Sequence, residues 1–155
     1  MRCINGVNVL KMRMPRPLKK AFDEDDGPMF GISCAMDGRN LCMSLLVEIL
    51  TGGKVGILSH LVANGVFQKE PMTLEELCCF CAAQFGDSQA IPLLKAIDGA
   101  CPGILKDVRD PFGRNLLWYA MFNNCTAWFH PNCRLVPFLL DSGCDLGNCN
   151  QIGLS

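Results

Sequence analysis

Eleven cysteines and two histidines are the side chains of this 155-residue chain best equipped for chemistry. Cys125, His130, Cys133, Cys144 and Cys149 fall within 25 residues, and four such ligands could ring a tetrahedral zinc ion. The intervals are four residues between Cys125 and His130, two between His130 and Cys133, and four between Cys144 and Cys149. If the apolar stretch from Cys133 to Cys144 is helical, a rise of ~1.5 Å per residue sets those thiols roughly 16 Å apart. That is too far for one ion. The expectation is small buried thiols, as unpaired cysteines usually are, and no metal site.

Two further patterns could carry a reaction. Thr51-Gly52-Gly53-Lys54-Val55-Gly56 has the look of a phosphate loop, which needs glycine where Glu48 stands and Ser or Thr where Val55 stands. It reads as a turn between helices. A Cys–His nucleophile could use only His60 or His130. His60 sits among Leu58, Leu61 and Val62 and reads as a packing residue. His130 has no recognisable orienting group or oxyanion donors nearby. No catalytic residue and no cofactor is expected, and the chain is read as a non-enzyme.

Composition narrows the classes further. Half of the residues are hydrophobic (50%), 19% are charged, and the mean hydropathy is +0.22, which excludes a disordered tail as the main body. A net charge of −1 gives no general attraction to phosphate backbones, so no nucleic-acid partner is expected. No membrane partner is expected either: the richest apolar stretch, residues 41–50, is interrupted by Glu48. Residues 1–20 hold six basic side chains but no apolar core of the secretory kind. An odd cysteine count and no such signal point to reduced thiols in an intracellular, cytoplasmic protein. The sequon Asn124-Cys125-Thr126 is then silent.

The elements that must position these residues are organised in two parts. In residues 1–30 a basic block abuts Asp23-Glu24-Asp25-Asp26, and Pro15, Pro17 and Pro28 break up any long helix. This part reads as a charged N-terminal segment or cap. Residues 31–155 read as a repeat domain, because Gly38-Arg39-Asn40-Leu41 recurs as Gly113-Arg114-Asn115-Leu116. Each copy leads into an apolar helical segment and then a second one ending in glycine, at Gly65 and at Gly143. A degenerate copy between them runs through residues 77–85, turns at Gly86-Asp87 and ends at Gly99. Its first helix opens on a capping box, Thr73-Leu74-Glu75-Glu76. Pro92 and Pro137 are tolerable if their helices begin only a residue or two earlier.

These residues resemble the ankyrin repeat family. Gly113-Arg114-Asn115-Leu116-Leu117-Trp118-Tyr119-Ala120-Met121 is similar to the first part of its pattern. Leu135-Val136-Pro137-Phe138-Leu139-Leu140-Asp141-Ser142-Gly143-Cys144-Asp145 is similar to the second. The usual Thr-Pro is missing from every unit, and Met43, Phe80 and Trp118 stand where the family has an inward histidine. The resemblance implies an all-α, ankyrin-like helical solenoid of about three helix-turn-helix units, with the chain ending at the start of a fourth. Leu135, Phe138 and Leu139 would then leave an apolar C-terminal face uncovered, open to self-association.

What such a fold implies is a protein–protein interaction module, a scaffold or adaptor, with an unidentified protein partner. Contacts in the family come from connector tips and groove-facing positions of the first helices. Carried over, these are Arg39 in unit one and Lys69 in unit two, with Cys81 beside it on the groove. In unit three they are Arg109, Phe112, Arg114, Tyr119, Phe122 and Asn123. Trp128 and Phe129, in a six-residue insertion between the helices of that unit, are costly to expose without a partner. Trp118 is expected inward and Tyr119 outward, so that only Trp118 matters for stability. The rival reading is a thiol-rich metal-binding or redox-sensing protein; the two part on whether purified, reduced protein carries stoichiometric zinc. Paired helical segments in every unit predict a circular dichroism spectrum dominated by helix, and a strand-dominated spectrum would end the ankyrin reading.

Overall fold

The computed structural model describes residues 14–38, 41–69, 71–121 and 134–145. Helices supply all the regular structure among them, with no strand. The chain is all-α. Helix α1 (Arg16–Asp23) pairs with α2 (Gly27–Met36), and α3 (Met43–Thr51) pairs with α4 (Val55–Ala63). Next come α5 (Leu74–Gln84) with α6 (Asp87–Ala100), a single turn α7 (Ile104–Asp107), and α8 (Leu116–Met121) with α9 (Leu135–Asp141). The second members of the pairs stack in chain order, α2 on α4, α4 on α6 and α6 on α9, while α5 packs on α8.

Turn chemistry sets these boundaries. Glu76 donates its backbone N–H to Thr73 Oγ1 at 3.1 Å, and Thr73 N–H donates to Glu76 Oε1 at 2.8 Å, so the expected capping box starts α5. Gly65 and Gly143, which close α4 and α9, take φ of 69° and 102°, left-handed values that favour glycine. Gly38 and Gly113 of the duplicated Gly-Arg-Asn-Leu share a second such value, 65° and 82°. The sequence repeat is therefore a repeat of backbone conformation at both punctuation points.

Several expectations change. The position chosen for the domain boundary, after residue 30, falls inside α2, and Met14, Leu18, Ala21, Phe22 and Phe30 join the same buried cluster as the later helices. Pro92 is not near the start of its helix: α6 begins at Asp87 and runs through the proline. The missing N–H leaves the Ser88 carbonyl without its helical donor, which water can replace because Ser88 is exposed. α6 also continues past Gly99 to Ala100, and the left-handed glycine comes later, at Gly103. Leu135 and Leu139, expected to lie uncovered, are fully buried, because α9 packs on both α6 and α8; Phe138 is half-buried.

The two N-terminal helices are locked to the rest by one carboxylate. Asp25 sits in the turn between α1 and α2 at φ 54°, a conformation that aspartate tolerates better than most residues. Its oxygens accept Gly56 N–H and Ile57 N–H, both at 2.8 Å, so it caps α4 from 31 residues away in sequence. Gly56 admits this approach because a Cβ there would lie 2.6 Å from the Asp25 carbonyl oxygen. Asp25→Ala strands both donors and should lower stability by about 2 kcal/mol in urea unfolding, with Asp25→Asn costing about half as much. Equal stability of all three proteins would remove the lock.

Candidate functional site

The connector ahead of α8 is built from a turn signature, Asp110-Pro111-Phe112-Gly113, with aspartate first, proline second and glycine fourth. Gly113 N–H donates to the Asp110 carbonyl at 2.9 Å and closes the turn. The Asp110 carboxylate then gathers the surrounding donors. One oxygen accepts Phe112 N–H and Arg114 N–H, each at 2.9 Å; the other accepts Arg114 Nε–H at 2.6 Å and the Tyr119 hydroxyl at 2.5 Å. The Asp110 side chain is 6% exposed. Burial alone would favour its neutral form, but the bonds from Tyr119, Arg114 and Phe112 outweigh that and hold the carboxyl below the usual aspartate range.

Arg114 is fixed from both sides. Its guanidinium lies 3.8 Å from the centre of the Trp118 ring and 4.9 Å from that of Phe112 while its Nε holds Asp110. Asn115, fully buried, starts α8 by accepting Trp118 N–H at 3.2 Å, and its amide donates to the Asp145 carbonyl at 2.9 Å. The tip is thus a rigid platform carrying Phe112, which is 73% exposed.

Beside this platform runs an open groove of about 970 Å³. Helix α5 forms its floor through Glu76, Cys79, Phe80 and Ala83, positions spaced at three and four residues that share one helical face. Met43, at the start of α3, and Met72 line it as well, and Arg109, Asp110, Pro111 and Tyr119 contribute from the connector and α8. Its size suits a small ligand or a few side chains of a partner.

Of the expected contact residues, the structure brings Arg109 and Tyr119 into the groove and sets Phe112 and Arg114 on the adjoining tip. Lys69 is exposed on the connector between α4 and α5. Arg39, Phe122, Asn123, Trp128 and Phe129 lie outside the described residues. The register on the first helices differs from the expected one. Met43 and Phe80, expected inward, line the groove, whereas Cys81, expected on it, is fully buried. Trp118 is half-buried beneath Arg114, and the inward positions of α8 belong to Leu116, Leu117 and Ala120. Asp110, Glu75, Met72 and Phe80 were missed. For Asp110 the signal was present in the Asp-Pro-x-Gly turn; for the others it required the true helical register.

Cys125, His130, Cys133 and Cys149 of the expected cluster lie outside the described residues, and the described groups that could do chemistry are occupied otherwise. No disulfide joins the described cysteines, and no three of the described His, Cys, Asp and Glu residues converge as a metal site. Cys78 and Cys81 share a C-x-x-C spacing inside α5, but burial raises both thiols, Cys81 to about 12. Cys79, on the groove, is pushed up to about 11, by burial first and the Asp110 charge second. All three are protonated at neutral pH. His60 lies across Gly27 and Gly31 of α2, where added Cβ atoms would sit 2.6 Å from His60 Cβ and 3.2 Å from Nε2. Lys54, the lysine of the false phosphate loop, donates to the Asp23 carbonyl at 3.3 Å and lies 5.1 Å from the Phe22 ring centre.

No family model, characterised protein or solved structure matches the chain. No described helix is long and apolar enough to cross a membrane.

The Asp110–Tyr119 pair generates a direct test, because Tyr119 is the chain's sole tyrosine and tyrosinate absorbance reads it alone. Burial, and next the bond to Asp110, raise its pKa to about 12 in the folded protein, against ~10 for an unfolded chain. The stability it contributes is complete below pH ~10 and is lost as pH climbs through about 12. Asp110 shifts the other way: its contribution is complete above pH ~3.9 and is lost as pH falls through its depressed value. Asp110→Asn should lower the tyrosine midpoint and flatten the acid limb of stability. Tyr119→Phe should cost about 1.5 kcal/mol, the worth of a hydrogen bond to a charged group. An unshifted tyrosine midpoint near 10 in the folded chain would mean that the pair does not form.

Proposed function

We propose that this chain is a protein-binding module, an ankyrin-like solenoid that presents a groove and a rigid tip to a protein partner and has no chemistry of its own. The groove along the first helices α3, α5 and α8 carries this reading, since that is where the residues resembling the family would place partner contacts. The chain-order stacking of α2, α4, α6 and α9 supports the solenoid, as does the shared backbone conformation of the paired glycines. Phe112 and Arg114 at the tip, beside Tyr119, are of the residue types enriched in interface hot spots. The raised, protonated thiols of Cys78, Cys79 and Cys81 are poor metal ligands and poor redox sensors, which favours the module over the thiol-rich alternative at those three positions.

Phe112 separates binding from folding, because its exposed ring contributes little to the core. Phe112→Ala should leave the thermal midpoint within about 2 °C. It should also weaken retention of the partner captured from a lysate of the source cells by about tenfold. Capture that is indifferent to Phe112→Ala and to filling the groove by Ala83→Gln would defeat the module reading.

A further inference from the structure

The groove has a polarity that names the chemistry of its occupant. Among the described residues, three carboxylates (Glu75, Glu76 and Asp110) and one guanidinium (Arg109) line it. Asp110 is already paired with Arg114 at 2.6 Å and contributes little outward charge. The Arg109 guanidinium turns back on the chain, donating to the carbonyls of Lys106 at 2.8 Å and Val108 at 2.7 Å. Glu76 spends one oxygen on its own cap at Thr73. The carboxylate of Glu75, exposed on the first turn of α5, makes no hydrogen bond or ion pair among the described residues. With Asp110 balanced by Arg114, two carboxylates at the α5 end face the single guanidinium of Arg109 on the opposite connector, so the α5 end of the groove is negative. Next to it the surface is apolar and soft: Met43, Met72, Pro71, Phe80 and Ala83 offer sulfur, ring and methyl contacts without donors of their own.

An anionic ligand is disfavoured by that carboxylate pair, and a wholly apolar one leaves it unanswered. We infer that the groove takes a peptide segment of a partner protein in which an apolar side chain is flanked by lysine or arginine, the apolar group lying on Phe80 and the methionines and the cation facing Glu75 and Glu76. This rests on the reading of the groove as a binding site and adds the partner's chemistry to it. Opposed charges at such a rim steer encounter and fix register more than they add contact area, so affinity should fall as salt rises.

Random-peptide display against the whole chain tests both layers separately, with enriched peptides measured by fluorescence anisotropy. The expected consensus sets Lys or Arg beside Leu, Met or an aromatic residue. Glu75→Lys should weaken those peptides about tenfold, and replacing their basic residue by glutamate should restore binding to that variant. Ala83→Gln, which fills the floor without changing charge, should weaken all of them; circular dichroism and melts establish that both variants are folded. Peptides lost with Ala83→Gln yet lacking basic residues, or indifferent to Glu75→Lys, overturn the basic–apolar assignment and leave the groove standing. Enrichment of peptides indifferent to Ala83→Gln, or no enrichment at all, overturns the groove reading and this inference with it.

Discussion

Burial of leucine and isoleucine between consecutive helix pairs is the constraint on which the rest of this structure depends. The helices are short, from four to 14 residues, and such lengths are marginal in water on their own. Leu46, Ile49, Leu50, Ile57 and Leu58 of one pair and Leu77, Leu93, Leu94 and Ile97 of the next are essentially inaccessible to solvent. Each such side chain is worth roughly 1.5–3 kcal/mol when removed from water, so each pair gains its stability from its neighbour. The groove lies where the exposed face of α5, packed on α8 by that inner burial, meets the connector ahead of α8.

Two aspartates solve the same problem at different places. Connectors between stacked helices leave backbone N–H groups that no helix satisfies, and a carboxylate can accept several of them at once. Asp25 spends both oxygens on the start of α4 and so ties the first pair to the second. Asp110 spends its oxygens on its own turn, on Arg114 and on Tyr119, and so ties the tip to the groove wall. The first is a joint of the scaffold, the second a joint of the site. Arg134 N–H, donating to the Asp87 carboxylate at 2.6 Å, repeats the device between α6 and α9.

Much of the scaffold was legible in the residues. Gly65, Gly143 and the Thr73–Glu76 box mark helix ends through local chemistry, and local chemistry is what a sequence displays directly. The α1–α2 pair was not legible, because its prolines and charges argue against helix while Leu18, Phe22 and Phe30 find their partners only in three dimensions. Proline at the start of α1 and α2 is in fact compatible with helix, where its missing N–H has no partner to lose. The site was half legible. Arg109, Phe112, Arg114 and Tyr119 follow from the repeat, yet the one-position error that turned Phe80 inward and Cys81 outward arose because α5 is apolar nearly all round. Periodicity cannot orient such a helix; only its contacts with α6 and α8 do.

The buried thiols make the layers individually observable in time. Cys78 and Cys81 lie sealed in the third pair and Cys144 in the fourth, where its sulfur donates to the Leu105 carbonyl at 3.4 Å. A reagent that reacts only with solvated thiolate cannot reach any of them until the surrounding helices part. Each cysteine is therefore a clock for the opening of its own layer. The spread between the clocks measures how cooperatively the helix pairs open.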